Sequence, residues 1–169
     1  MRKVRKLANI PVGSNIQKGF EEVHYHDTYQ INHSTTDTTE QVTQKLMTLP
    51  DWVKFLMILR NRIVGIFGLK TDKNTPKSGA FFSVIENRKE EIIMGENDKH
   101  LNFRASIMNN QSENSISLTT VIHFNNVWGR IYFFLVKPFH TIIMKVLLKR
   151  YLSKKQIKLE IKIRKENIT

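Results

Sequence analysis

Asp27 carries the clearest chemical promise in this chain. From Val23 to Asn32 apolar and polar residues alternate, so that Val23, Tyr25, Asp27, Tyr29 and Ile31 share one strand face while His24, His26, Thr28, Gln30 and Asn32 share the other. A carboxylate on the apolar face is costly unless it is partnered. At a cavity wall such a group can orient a ligand or move a proton, which makes Asp27 the candidate catalytic acid or base. The plainer alternative is a carboxylate that binds backbone or a basic residue at the strand's end. His140, just past Pro138 in a long apolar stretch, is a candidate for the same cavity, or else a satisfied core histidine.

Other polar residues carry weaker patterns. His24 and His26 have the two-residue spacing at which imidazoles share a metal, but no third ligand accompanies them, so no metal site is expected. His100, Asn102 and Arg104 form a polar row on one strand and His123 lies on the polar face of another. On neighbouring strands, His100, Arg104 and His123 would make an anion site; alternation alone favours a sheet surface facing water. Ser83, Ser115 and Ser117 lack the glycine elbow of a serine hydrolase, and Gly65 and Gly68 fall inside a helical pattern rather than a phosphate-cradling loop. No cofactor is expected.

The elements that must position these residues can be read in order. Residues 1–20 form a basic, irregular lead-in to the first strand, with Pro11, Gly13 and Gly19 in its second half. Asp37 and Glu40 have the form of a capping signal for a short helix to about Leu49, and Pro50 opens a second helix, Asp51 to about Leu69, followed by a loop over residues 71–79. Four strands are expected at Ala80–Glu86, Glu90–Gly95, Lys99–Asn109 and Ser115–Phe124, with Leu101, Phe103, Ala105 and Ile107 facing the core. The chain ends in a long helix, Trp128–Leu152. Ile131 to Val136 is apolar all round, which predicts a helix buried on several sides with Phe134 in its core, and Pro138 predicts a kink or a fresh start. Arg130, Lys137, His140, Lys145 and Lys149 argue against a membrane span.

The bulk numbers fit one domain. The 169 residues are 40% hydrophobic and include no cysteine, which excludes disulfides, thiolate catalysis and cysteine-held metals. The short apolar follow-up to the basic start, Leu7, Ala8 and Ile10, is too small for a signal-peptide core, and a cytoplasmic setting is expected. The net charge of +12 sits at the ends: Arg2, Lys3, Arg5 and Lys6 give +4, and residues 149–169 give +6. Those ends are suited to weak binding of anionic surfaces, membrane or nucleic acid, although only Tyr151 interleaves an aromatic ring with the charges. Ile157, Leu159, Ile161 and Ile163 alternate with charges, so the tail from Ser153 reads locally as a strand, one that must pair with an edge or else fray or extend the preceding helix, and it is expected to be separable from the domain.

A strand, two helices, an antiparallel meander and a long final helix make an α+β plan in which a curved antiparallel sheet wraps the long C-terminal helix. The stretches EIIMGENDKHLNFRASI and VIHFNNVWGRIYFFLVKPFH, with LPDWVKFLMILRNRIVGIFGLKT and HDTYQI, resemble an uncharacterised bacterial domain-of-unknown-function family over roughly residues 9–150. Such proteins are similar in plan to the helix-grip fold of START-like and polyketide-cyclase-like (SRPBCC) domains. The resemblance implies an apolar cavity between sheet and helix but supplies no known activity or ligand; plan and resemblance together make a small hydrophobic or amphipathic ligand the leading expectation. Tyr25, Asp27, Tyr29, Phe103, Phe134, Phe139 and His140 are the candidate lining residues.

Overall fold

The computed structural model describes residues 3–48, residue 51 and residues 82–166, with side chains to residue 153. The expected second helix and the loop after it lie outside the described residues. Six strands form one antiparallel sheet: β1 (Arg5–Leu7), β2 (Tyr25–Asn32), β3 (Ser83–Asn87), β4 (Glu91–Asn97), β5 (Leu101–Asn110) and β6 (Ser115–Phe124), in the order β1-β2-β6-β5-β4-β3. With α1 (Thr39–Met47) and the long C-terminal helix α2 (Val127–Glu166), this is an α+β chain on the helix-grip plan.

Register follows from alternation. Asp27 pairs with Thr120, Thr120 with Ala105 and Ala105 with Met94, so one row across the sheet presents all four to the helix side. Tyr25, Ile122 and Phe103 form the next row. The β5–β6 turn closes at Asn114, whose φ of 50° is the left-handed conformation that asparagine tolerates better than most residues. On this face Tyr29, Ile31, Ile107, Ile116 and Leu118 pack against Met144, Leu147, Leu148 and Tyr151 of α2 and against Val42 and Leu46 of α1.

Several expectations are corrected. The basic start is not wholly irregular: Arg5–Leu7 adds an edge strand by pairing with β2. The capping box is Thr38 with Gln41, one residue later than Asp37 with Glu40; Asp37 instead accepts from Tyr151 Oη at 2.7 Å and pairs with Lys45 at 2.8 Å. The polar side of the sheet does not simply face water, because lead-in residues cover it, with Ile16 packed on Ile93 and Val121 and flanked by Ile10, Phe20 and Val23. Helix α2 passes through Pro138 without restarting, and it runs on to Glu166, so the alternation after Ser153 gives helix rather than strand.

The largest correction concerns Ile131 to Val136. Phe134 is 77% exposed, and Ile131 and Leu135 are exposed too; only Phe133 of this run is buried. A sheet covers one side of a helix. In α2 that side belongs to Phe133, Met144, Leu147, Leu148 and Tyr151, spaced three, four, seven or eleven apart as one helical face requires.

Candidate functional site

Where α2 crosses the row of Asp27, a polar cluster sits in an otherwise apolar interface. Asp27 is 1% exposed. One of its oxygens accepts from the Tyr25 hydroxyl at 2.9 Å, and the other lies 3.3 Å from His140 Nε2. Burial, together with the adjoining Asp27 charge, pushes the Tyr25 phenol well above its ordinary range, so Tyr25 is the donor in that bond. Thr120, opposite Asp27 in the register, is 4% exposed, and its hydroxyl has no hydrogen-bond partner among the described residues. A buried hydroxyl without a partner costs free energy, so this is a place where a polar atom would be welcome.

Aromatic rings frame the cluster. The Phe133 ring stands 4.6 Å from Tyr25, 5.7 Å from Phe124 and 6.4 Å from His140. Lys137 caps the Tyr25 ring at 4.9 Å and Arg130 caps Phe124 at 5.3 Å, which keeps two helix cations on the sheet side.

Of the lining residues expected from sequence, Tyr25, Asp27 and His140 come together here. Tyr29 is buried one strand turn further on, under Lys145 at 5.8 Å. Phe103 lies in the adjoining row, edge-on to Phe82 at 4.8 Å. Phe134 and Phe139, 77% and 49% exposed, are turned to the outer side of the helix. Sequence reasoning missed Phe133 and Thr120. Alternation in β6 places Thr120 with Leu118 and Ile122, a polar residue among apolar ones, which is the same signal that singled out Asp27.

The anion-site candidates are engaged elsewhere. Arg104 stacks over Phe20 at 5.1 Å and donates to Asn97 Oδ1 at 2.8 Å; the His123 ring also stacks with Phe20, at 6.4 Å between centroids, and its Nδ1 lies 2.9 Å from the Glu22 carbonyl. His100 Nδ1 lies 3.1 Å from Asn126 Oδ1. His24 and His26 do not converge: His24 takes the Phe124 N–H and His26 meets the Ala8 carbonyl. Among the described residues no three histidine, aspartate or glutamate side chains gather as a metal would require.

Residues 20–147 match a family model described as "Protein of unknown function (DUF2867)". The chain belongs to this family. The matched span takes in Tyr25, Asp27, Thr120, Phe133 and His140, so the whole polar cluster is part of the family domain, whereas most of the lead-in and the last turns of α2 lie outside it. No curated protein and no solved structure matches the chain.

A second buried carboxylate on the opposite face escaped the sequence reading. Glu91 is 1% exposed and accepts from the Asn15 N–H at 2.9 Å, from Ser106 Oγ at 2.5 Å, and from Ser14 and Arg88. Burial acts to raise its carboxyl, but these donors outweigh it and hold the group below the usual carboxylate range. A cleft of about 280 Å³ opens beside it, lined by Val12, Gly13, Arg88 and Met108 among others. With every lone pair committed, Glu91 fastens the lead-in to the sheet rather than offering a reactive group.

Proposed function

We propose that the domain binds a small amphipathic molecule between the inner face of the sheet and α2, with the molecule's polar end at Thr120, Asp27 and His140. The observation that carries this reading is the Thr120 hydroxyl, without a hydrogen-bond partner among the described residues and buried beside a hydrogen-bonded carboxylate in an apolar wall. A ligand hydroxyl or carbonyl would satisfy it, while Phe133, Phe103 and Tyr25 offer apolar surface to the rest of the molecule. The similarity in plan to START-like and polyketide-cyclase-like domains supports the same location. Native mass spectrometry of the purified protein tests it. A non-covalent adduct is expected on the wild type and absent from Thr120→Leu. No adduct on the wild type, or one retained by the variant, overturns the reading.

The Tyr25–Asp27–His140 chain favours a second reading, in which the same site performs a cyclase- or hydratase-like reaction. A carboxylate linking a phenol to an imidazole can hold a proton ready for a bound substrate. Turnover of the recovered ligand, lost in Asp27→Asn while binding persists, would separate reaction from storage.

A further inference from the structure

The outer side of α2 is apolar for four turns. Val127, Trp128, Ile131, Phe134, Leu135, Phe139 and Ile142 are each between 44% and 77% exposed. Their spacing gathers them on one arc of the helix, roughly 22 Å long at about 1.5 Å per residue. Three aromatic rings and four aliphatic side chains in one such patch mark an interaction surface.

Charge identifies the partner. Along the same arc the next exposed residues are Lys145, whose ammonium leans towards the Tyr29 ring, and Lys149, and the helix backbone continues to Glu166 through a stretch with seven more lysines and arginines against two glutamates. A second copy of the chain seated on this face would bring together two molecules of net charge +12. An anionic lipid surface meets both parts of the pattern, the acyl boundary taking the apolar arc and the headgroups taking the lysines.

We propose that α2 lies in the plane of an anionic bilayer, with its Val127–Ile142 arc immersed and its lysine-rich continuation on the headgroups. Val127–Ser153 is long and apolar enough to cross a membrane, yet its inner side is committed to the sheet through Phe133, Met144, Leu147 and Leu148 and through the His140–Asp27 contact. A spanning helix would have to abandon that core; an in-plane helix keeps it. The surface is on the opposite side of α2 from Asp27, and the inference is independent of the ligand reading.

Co-sedimentation of the full chain with phosphatidylcholine vesicles, with and without phosphatidylserine, tests the proposal. Binding is expected only to the serine-containing vesicles and should weaken as salt is raised. The Ile131→Ser/Phe134→Ser double variant should bind at least about tenfold more weakly at an unchanged melting temperature, since both side chains are exposed in the folded chain. Lys149→Glu should cost roughly fivefold or more. In a Trp52→Phe background, Trp128 emission should shift to the blue on vesicle addition. Absence of vesicle binding overturns the proposal. So does equal binding by the double variant, which would assign attachment to the charged ends alone. A wild-type dimer that the double variant dissolves would assign the face to a second copy instead.

Discussion

Asp27 Oδ1 and His140 Nε2 stand 3.3 Å apart across the sheet–helix interface, joining positions 113 residues apart in the chain. Removing the carboxylate strands the Tyr25 hydroxyl and the imidazole together. Asp27→Ala should therefore lower stability by about 1–3 kcal/mol. In a double-mutant cycle with His140→Ala, chemical denaturation should yield a coupling of about 0.5–3 kcal/mol, and strictly additive losses would show that the pair is not an energetic unit.

Glu91 makes stability depend on acid. Its folded carboxyl titrates below the ordinary range, so its contribution is fully present above the unfolded value and is lost as pH falls through the folded one. Melting temperature should decline as pH drops below about 4, and Glu91→Gln should flatten that decline. Glu91→Ala, which leaves Arg88 and two serine hydroxyls without their acceptor, should cost about 3–5 kcal/mol at neutral pH. Thermal melts of the three proteins across the acid range provide the check.

Neighbouring phenylalanines should behave oppositely. Phe133 is 6% exposed and touches three rings, so Phe133→Ala should cost about 3–5 kcal/mol. Phe134→Ala should stay within about 0.5 kcal/mol of wild type in urea unfolding.

Gly129 is needed for closeness rather than for backbone freedom. A Cβ there would run into the His100 carbonyl oxygen, a backbone atom that cannot turn aside. Gly129→Ala should cost about 1–3 kcal/mol, although alanine is the better helix former. A stabilised variant would show that the first turn of α2 is free to move.

The faces of β2 were legible because alternation is a local property: Tyr25, Asp27 and Tyr29 face the helix as their spacing requires, whereas Val23, given the same face by that alternation, precedes the strand and packs with Ile16 on the other side. The two-sided cover of the sheet was also written in the chain, since Ile92-Ile93-Met94 puts apolar residues on both faces of β4. Phe134 was misread because apolarity all round a helix signals burial only if another element covers each side, and which sides are covered is decided by tertiary packing. Glu91 was illegible for a related reason. Its donors come from residues 14, 15, 88 and 106, and no local pattern announces that they meet.

Helix α2 is anchored at two stations. Near its start Gly129 presses on His100 and Asn126 reaches the Lys99 carbonyl at 3.0 Å; further along, Tyr151 donates to Asp37. Roughly 33 Å of helix lies between them at about 1.5 Å per residue. A rod held at both stations cannot swing away as a hatch. The ligand proposed above would then reach Asp27 only through apertures made by rotating side chains, with Lys137 over Tyr25 and Arg130 over Phe124 as the shutters. Such an entrance would sort guests by cross-section, admitting slender molecules and turning away bulky ones whatever their polarity.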